Sequence, residues 1–193
     1  MELSGKTVLF LGSSVTYGSA SGGISFADLA AQEAGFICVK EAVSGTTLAD
    51  LDSSSYVSRL KRVDPGLQPD LFVCQLSTND AARRIPLDEV EHAIRFIIDY
   101  VNRSFACPIL FYTGTYFESE QYRDMIHLLQ RIRQETPFFL LDLYHDTQMR
   151  SVSREDYTRY MSDPVHPTLT GYRDWWTPKF LEAFRKIPGG KQP

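Results

Sequence analysis

The chain has 193 residues, 43% hydrophobic and 23% charged, ordinary values for one globular domain able to bury a full core. A formal net charge of −4, with basic residues only in isolated pairs such as Lys61-Arg62 and Arg83-Arg84, excludes the dense basic face of a nucleic-acid binder. No apolar run reaches the ~18 residues of a membrane-spanning helix, and no signal-peptide pattern precedes the first apolar run, so a cytoplasmic location is the expectation.

In chain order, the first element is an apolar run over residues 7–11, which reads as a strand buried on both faces. It stops at Gly12, and Ser13, Ser14 and a glycine-dotted polar segment follow. A short helix is expected over 26–34, then a second strand over 36–41 and a turn, Val43-Ser44-Gly45-Thr46. A helix is expected over 47–60 and a third strand over 71–76, followed by Ser77-Thr78-Asn79-Asp80. Residues 87–105 give the clearest helix: Val90, Ala93, Ile94, Ile97, Ile98 and Val101 line one face of a 3.6-residue period. Strands over 109–113 and 138–143 flank another helix over 119–135. A closing helix spans 168–187, with Pro167 near its start and Pro178 where it would kink or break.

Strands alternating with helices imply right-handed crossovers. The expected fold class is therefore α/β, a three-layer α/β/α sandwich on a flavodoxin-like, five-stranded parallel sheet. One domain is expected over 1–188, with a tail over 189–193. The three cysteines lie in or beside strand-like runs and read as reduced packing residues.

Ligands of such sheets bind beyond the carboxyl ends of the strands, so the residues following each strand carry the functional question. Phosphate binding finds little support. Gly12 and Gly18 have the wrong spacing for a P-loop and no lysine follows, and Gly12-Ser13-Ser14 lacks the second glycine of a dinucleotide fingerprint. A flavodoxin-like anion-binding module is the remaining non-enzymatic reading on this ground. Taken singly, the serines, Gly45 and Asn79 are ordinary turn and capping residues. Together they supply a hydroxyl nucleophile, a bare backbone N–H and a side-chain amide donor at one edge. Asp163-Pro164-Val165-His166 adds a carboxylate three residues from an imidazole. That set is what acyl transfer requires.

Gly12-Ser13-Ser14-Val15, Ser44-Gly45, Ser77-Thr78-Asn79-Asp80 and Asp163-x-x-His166 also resemble, in order, the four motif blocks of the SGNH hydrolases, the GDSL esterase/lipase family. The resemblance covers nearly the whole chain. It implies Ser14 as nucleophile, His166 as base and Asp163 as its orienter. It implies Ser14, Gly45 and Asn79 as oxyanion donors, and no metal or cofactor. Two departures stand out: Ser13 replaces the family's aspartate, and Ser77 replaces the third-block glycine. Ser13, Tyr17, Ser77, Thr78 and Tyr116 are the expected substrate-contacting residues; Tyr17, Tyr116, Phe117 and Tyr144 follow strand ends and read either as an aromatic pocket wall or as ordinary packing. His92 reads as a surface residue, His127 as a helix residue without metal-ligand spacing, and His145 as a solvated loop residue with a place on the rim as the alternative. The implied substrate is a small-molecule or glycan ester with a short acyl group, acetyl on a carbohydrate being favoured. The alternatives are a lysophospholipase or thioesterase of the same family, or an idle binding domain.

Overall fold

The computed structural model describes residues 1–189 and has one five-stranded sheet between two layers of helix. In chain order the elements are β1 (Thr7–Gly12), α1 (Ser14–Tyr17), α2 (Phe26–Ala34), β2 (Ile37–Ala42), α3 (Tyr56–Leu60), β3 (Leu71–Gln75), α4 (Thr78–Ala82) and α5 (Leu87–Ser104). They continue with β4 (Ile109–Tyr112), α6 (Glu120–Glu135), β5 (Phe139–Leu141), α7 (Thr147–Arg150), α8 (Arg154–Tyr160), α9 (Leu169–Gly171) and α10 (Thr177–Lys186). The strand order is β2-β1-β3-β4-β5, with every neighbouring pair parallel. This is the doubly wound arrangement expected from the sequence. The chain leaves β1 outward to β2, then returns to β3 on the other side. That reversal opens a crevice between the carboxyl ends of β1 and β3.

Strand side chains alternate between two apolar layers. Leu9, Leu11, Phe72, Cys74 and Phe111 pack under α3, α5 and α6 against Val57, Ile94, Ile97 and Met125. Val8, Phe10, Val73, Leu110 and Tyr112 pack on the other face against Phe26, Trp176, Phe180 and Phe184 of α2 and the C-terminal helices. Of the three cysteines, Cys74 and Cys107 are buried and Cys38 is half-buried, all with free thiols. Burial pushes the Cys38 and Cys107 thiols up to about 12, so they stay protonated at neutral pH.

Two expected helices are corrected. The helix over 47–60 shrinks to Tyr56–Leu60. The Leu48 and Ala49 N–H groups donate to the Asp80 carboxylate instead of to a helical ladder (2.7 and 2.9 Å). Asp50 and Asp52 accept from Ser55, Ser58 and Ser54, so side chain and local backbone together offer an alternative to helix. The closing helix over 168–187 is split into α9, a π-helical turn at Tyr172–Trp176, and α10. Pro178 sits in the first turn of α10, where a missing N–H costs least. The tail expected over 189–193 lies outside the described residues from position 190 on.

Candidate active site

β1 delivers Ser14 to the crevice. The turn at its end needs glycine at position 12, because a Cβ there would sit 1.7 Å from the Thr16 hydroxyl. α1 is a single turn, closed by Gly18 in the left-handed conformation (φ 90°). Beneath it, the Gln75 Oε1 accepts from the Ser13 N–H (2.9 Å), the Ser13 hydroxyl (3.3 Å) and the Thr16 hydroxyl (2.9 Å). With its proton given to Gln75, Thr16 accepts from the Tyr112 hydroxyl at 2.6 Å. The Tyr172 hydroxyl holds the other side of the turn by donating to the Val15 carbonyl (2.7 Å).

His166 reaches Ser14 from the far end of the chain. Its segment is folded back on itself: Met161 bridges Pro167, and the Ser162 N–H donates to the His166 carbonyl at 2.8 Å. The His166 Nε2 lies 2.7 Å from the Ser14 Oγ, and its Nδ1 lies 2.7 Å from the Asp163 Oδ2. A carboxylate can only accept, so Nδ1 carries the ring proton and Nε2 presents its lone pair to the serine hydroxyl. The second Asp163 oxygen accepts the Val165 and His166 N–H groups, both at 2.8 Å. Burial alone would raise the Asp163 carboxyl, but these hydrogen bonds and the His166 ring outweigh it and hold the carboxyl below its usual range.

Gly45 and Asn79, the donors the resemblance implies, follow the carboxyl ends of β2 and β3. Gly45 has φ +79°, a conformation that favours glycine, and its carbonyl accepts from the Arg83 guanidinium at 2.9 Å. The Asn79 side-chain amide gives one hydrogen to the Thr46 carbonyl (2.8 Å), which leaves the second amide hydrogen available. Asp80 anchors the same loop through Leu48 and Ala49.

Of the residues expected to contact substrate, Tyr17 and Tyr116 are exposed and Thr78 is buried beside Asn79. Ser13 and Ser77 are 0% exposed. Ser13 bonds Gln75, and the Ser77 hydroxyl caps α4 by accepting the Asn79 N–H. The two departures from the family motifs therefore point into the scaffold, and neither offers surface to a ligand. Tyr144 is buried and Phe117 half-buried, in one aromatic cluster with Tyr122. His92 and His127 are exposed. His145 is also exposed, with its Nδ1 2.8 Å from Asp142.

Two supporting residues escaped the sequence reading. Gln75 is one. A polar residue inside the apolar run of a central strand has to find buried partners, and that signal was available. Arg59, 3% exposed, is the other. Its guanidinium donates to the Gly12 carbonyl (2.7 Å), the Thr46 hydroxyl (3.2 Å), and the Glu41 and Ser54 carbonyls (2.7 and 2.9 Å). It thus ties the end of β1 to the Gly45 loop. In sequence it is one arginine of a short helix, with nothing to distinguish it from a solvated one.

The sequence profile of the GDSL-like lipase/acylhydrolase family matches residues 10–173. No curated protein matches the chain. Among solved structures, a protein from Lactobacillus plantarum shares 18% identity with a TM-score of 0.82, covering 96% of this chain and 99% of its own. An acetylxylan esterase from Geobacillus stearothermophilus shares 20% identity with a TM-score of 0.73, covering 97% and 98%. A member of the lipolytic G-D-S-L family from Veillonella parvula shares 15% with a TM-score of 0.74, covering 94% and 99%. Fold and family match together define a hydrolase acting on ester bonds. The chain belongs to the GDSL-like lipase/acylhydrolase family, of which a catalytic triad and an oxyanion hole are features. Among the described residues, no helix is long and apolar enough to cross a membrane.

Proposed function

We propose that the protein is a serine esterase that cleaves a short acyl ester, acetyl on a small alcohol or carbohydrate, through an acyl-enzyme. The observation that carries this reading is the unbroken chain from the Ser14 hydroxyl to the His166 ring to the Asp163 carboxylate, at 2.7 Å for each step. In the first half-reaction, the Ser14 Oγ attacks the ester carbonyl while His166 Nε2 takes its proton. Asp163 steadies the imidazolium so formed. The developing oxyanion meets the Ser14 and Gly45 N–H groups and the free hydrogen of the Asn79 amide. The tetrahedral intermediate collapses, the C–O bond to the alcohol breaks, and His166 returns the proton to the departing oxygen. Water then adds to the acyl-enzyme with His166 again as base, releasing the acid and Ser14. The acetylxylan esterase among the structural neighbours, at 20% identity, favours acetyl and a sugar alcohol.

The test is hydrolysis of 4-nitrophenyl acetate, butyrate and octanoate by the wild type and by Ser14→Ala. The expected outcome is a rate falling with chain length and a loss in kcat of about 10⁴–10⁶ in the variant. Equal activity in the two proteins refutes the assignment of Ser14.

A further inference from the structure

Tyr157, near enough to Asp163 to feel its charge, lines a cavity of about 290 Å³ whose wall also includes Thr115, Tyr116, Arg150, Arg154 and Trp175 and no acidic residue. It sits at the rim of the sheet that holds Ser14. Thr115 follows Gly114, where an added Cβ would meet the Thr78 side chain at 3.8 Å, next to Asn79. Tyr157 and Tyr160 belong to α8, which is bonded to the His166 segment: the Met161 N–H donates to the Tyr157 carbonyl (2.8 Å) and the Thr168 N–H to the Tyr160 carbonyl (2.9 Å). The Tyr157 hydroxyl is pushed up by burial and by the nearby charge of Asp163.

Both arginines of this cavity lack an ion-pair partner among the described residues, in a chain whose net charge is −4. Of the carboxylates nearby, Asp146 pairs with Lys179 at 2.7 Å, Asp174 pairs with Arg173 at 2.6 Å, Asp156 accepts the Ser153 hydroxyl at 2.8 Å, and Glu118 and Glu155 stand outside the cavity lining. The Arg150 guanidinium lies over the Tyr116 ring, 4.2 Å from its centroid. Stacking fixes the plane of a guanidinium and leaves its N–H edges free for a bidentate acceptor. Thr115 lines the same cavity, and its hydroxyl, buried just behind the wall, has no hydrogen-bond partner among the described residues. A pre-set guanidinium fork, a second guanidinium and an unused buried hydroxyl fit one kind of group, a planar or tetrahedral oxyanion.

We propose that this cavity, through Arg150, Arg154 and Thr115, binds an anionic group carried on the alcohol portion of the ester substrate. The alcohol side follows from the mechanism, since His166 must reach the leaving oxygen and the cavity lies on the imidazole side. This inference rests on the serine esterase reading. A carboxylate and a phosphate share the required chemistry.

The experiment compares kcat/KM for 4-acetoxybenzoate with that for its neutral partner 4-acetoxybenzamide, with 4-acetoxyphenyl phosphate as a second anionic arm. The wild type is expected to favour an anion over the amide by about tenfold, the reach of one charge-assisted contact, less so as salt is raised. Arg150→Gln combined with Arg154→Gln is expected to bring the ratio near one, a readout internal to each protein preparation. The arm with the larger ratio identifies the group as carboxylate or phosphate. A wild-type ratio near one in both arms, or a preference that survives the double substitution, overturns the proposal. Calorimetric binding of 4-hydroxybenzoate and inorganic phosphate to Ser14→Ala separates the two readings. If no ester is cleaved, the esterase reading fails. Anion binding that disappears with the arginines then still supports the cavity, and no anion binding overturns it.

Discussion

Replacing Arg59 with methionine keeps a long side chain in a buried slot and removes every donor. The guanidinium makes contacts at 2.7 Å to the Gly12 and Glu41 carbonyls, 2.9 Å to the Ser54 carbonyl, and 3.2 Å to the Thr46 hydroxyl and the Glu41 carboxylate. Two considerations set the magnitude. The Glu41 side chain is 38% exposed and can turn to water, so the large penalty for a stranded buried charge does not arise. The Gly12 carbonyl keeps a contact from the Val43 N–H at 3.3 Å. What remains is the Ser54 carbonyl short of a donor and the Glu41 carbonyl reduced to its ladder bond with β1, at about 1–3 kcal/mol per fully buried acceptor and less for half-buried ones. Arg59→Met should therefore cost about 2–4 kcal/mol, inside the stability of about 5–15 kcal/mol expected of such a domain. The protein should stay folded with the β1 end and the Gly45 loop no longer tied together. A misplacement of about 1 Å between nucleophile and oxyanion donors is worth about 10²-fold in rate. The assay pairs urea unfolding by circular dichroism with kcat/KM for 4-nitrophenyl acetate. Arg59→Lys restores charge without the fork and should recover stability more than rate. A Met variant with wild-type kcat/KM would refute the argument that this side chain sets the site.

Asn79→Ala removes the amide proposed as an oxyanion donor, and steady-state kinetics should show kcat down about 10²–10³-fold with little change in KM; an effect confined to KM would reassign the residue to ground-state binding. Gly45→Ala meets nothing within 4 Å, so its cost is the positive φ alone, about 1 kcal/mol, and calorimetry should show a small loss of Tm alongside a larger loss of kcat. Because the folded Asp163 carboxyl lies below its ordinary value, its contribution to stability is present above about pH 4 and is lost as pH falls through the folded value. The difference in urea midpoint between wild type and Asp163→Asn should close as pH is lowered through that window; a difference that widens on acidification contradicts the sign.

The sheet, the long helices α5 and α6, and the four chemical blocks were all legible because each is a local pattern. A strand announces itself by an apolar run, a helix by its period, and each block by adjacent residues. The stretch over 47–55 carries a helical pattern but is not helix, because its backbone partners are remote: Asp80 accepts from Leu48 across 32 residues. Gln75 and Arg59 share that difficulty, with contacts to Ser13 and Gly12 across 62 and 47 residues. The motif positions of Ser13 and Ser77 point to the substrate, whereas each side chain turns inward to bond Gln75 or to cap α4. Helices α1, α4 and α7, of 4, 5 and 4 residues, are shorter than the window in which a period can be detected.

The hydrogen bond between Ser14 and His166 closes across 152 residues of chain. On the proposed mechanism, most of the molecule must therefore be made and docked before the first ester can be cut. During synthesis, a growing chain carries its hydroxyl from the outset but gains its base only when α8 and the loop beyond it have emerged and packed. Slow, non-local pairing is the general cost of parallel sheets. Here it makes catalysis a late event in folding. Recovery of esterase activity on dilution from denaturant should accordingly lag the return of helical signal, and no fragment ending before residue 166 can carry the reaction.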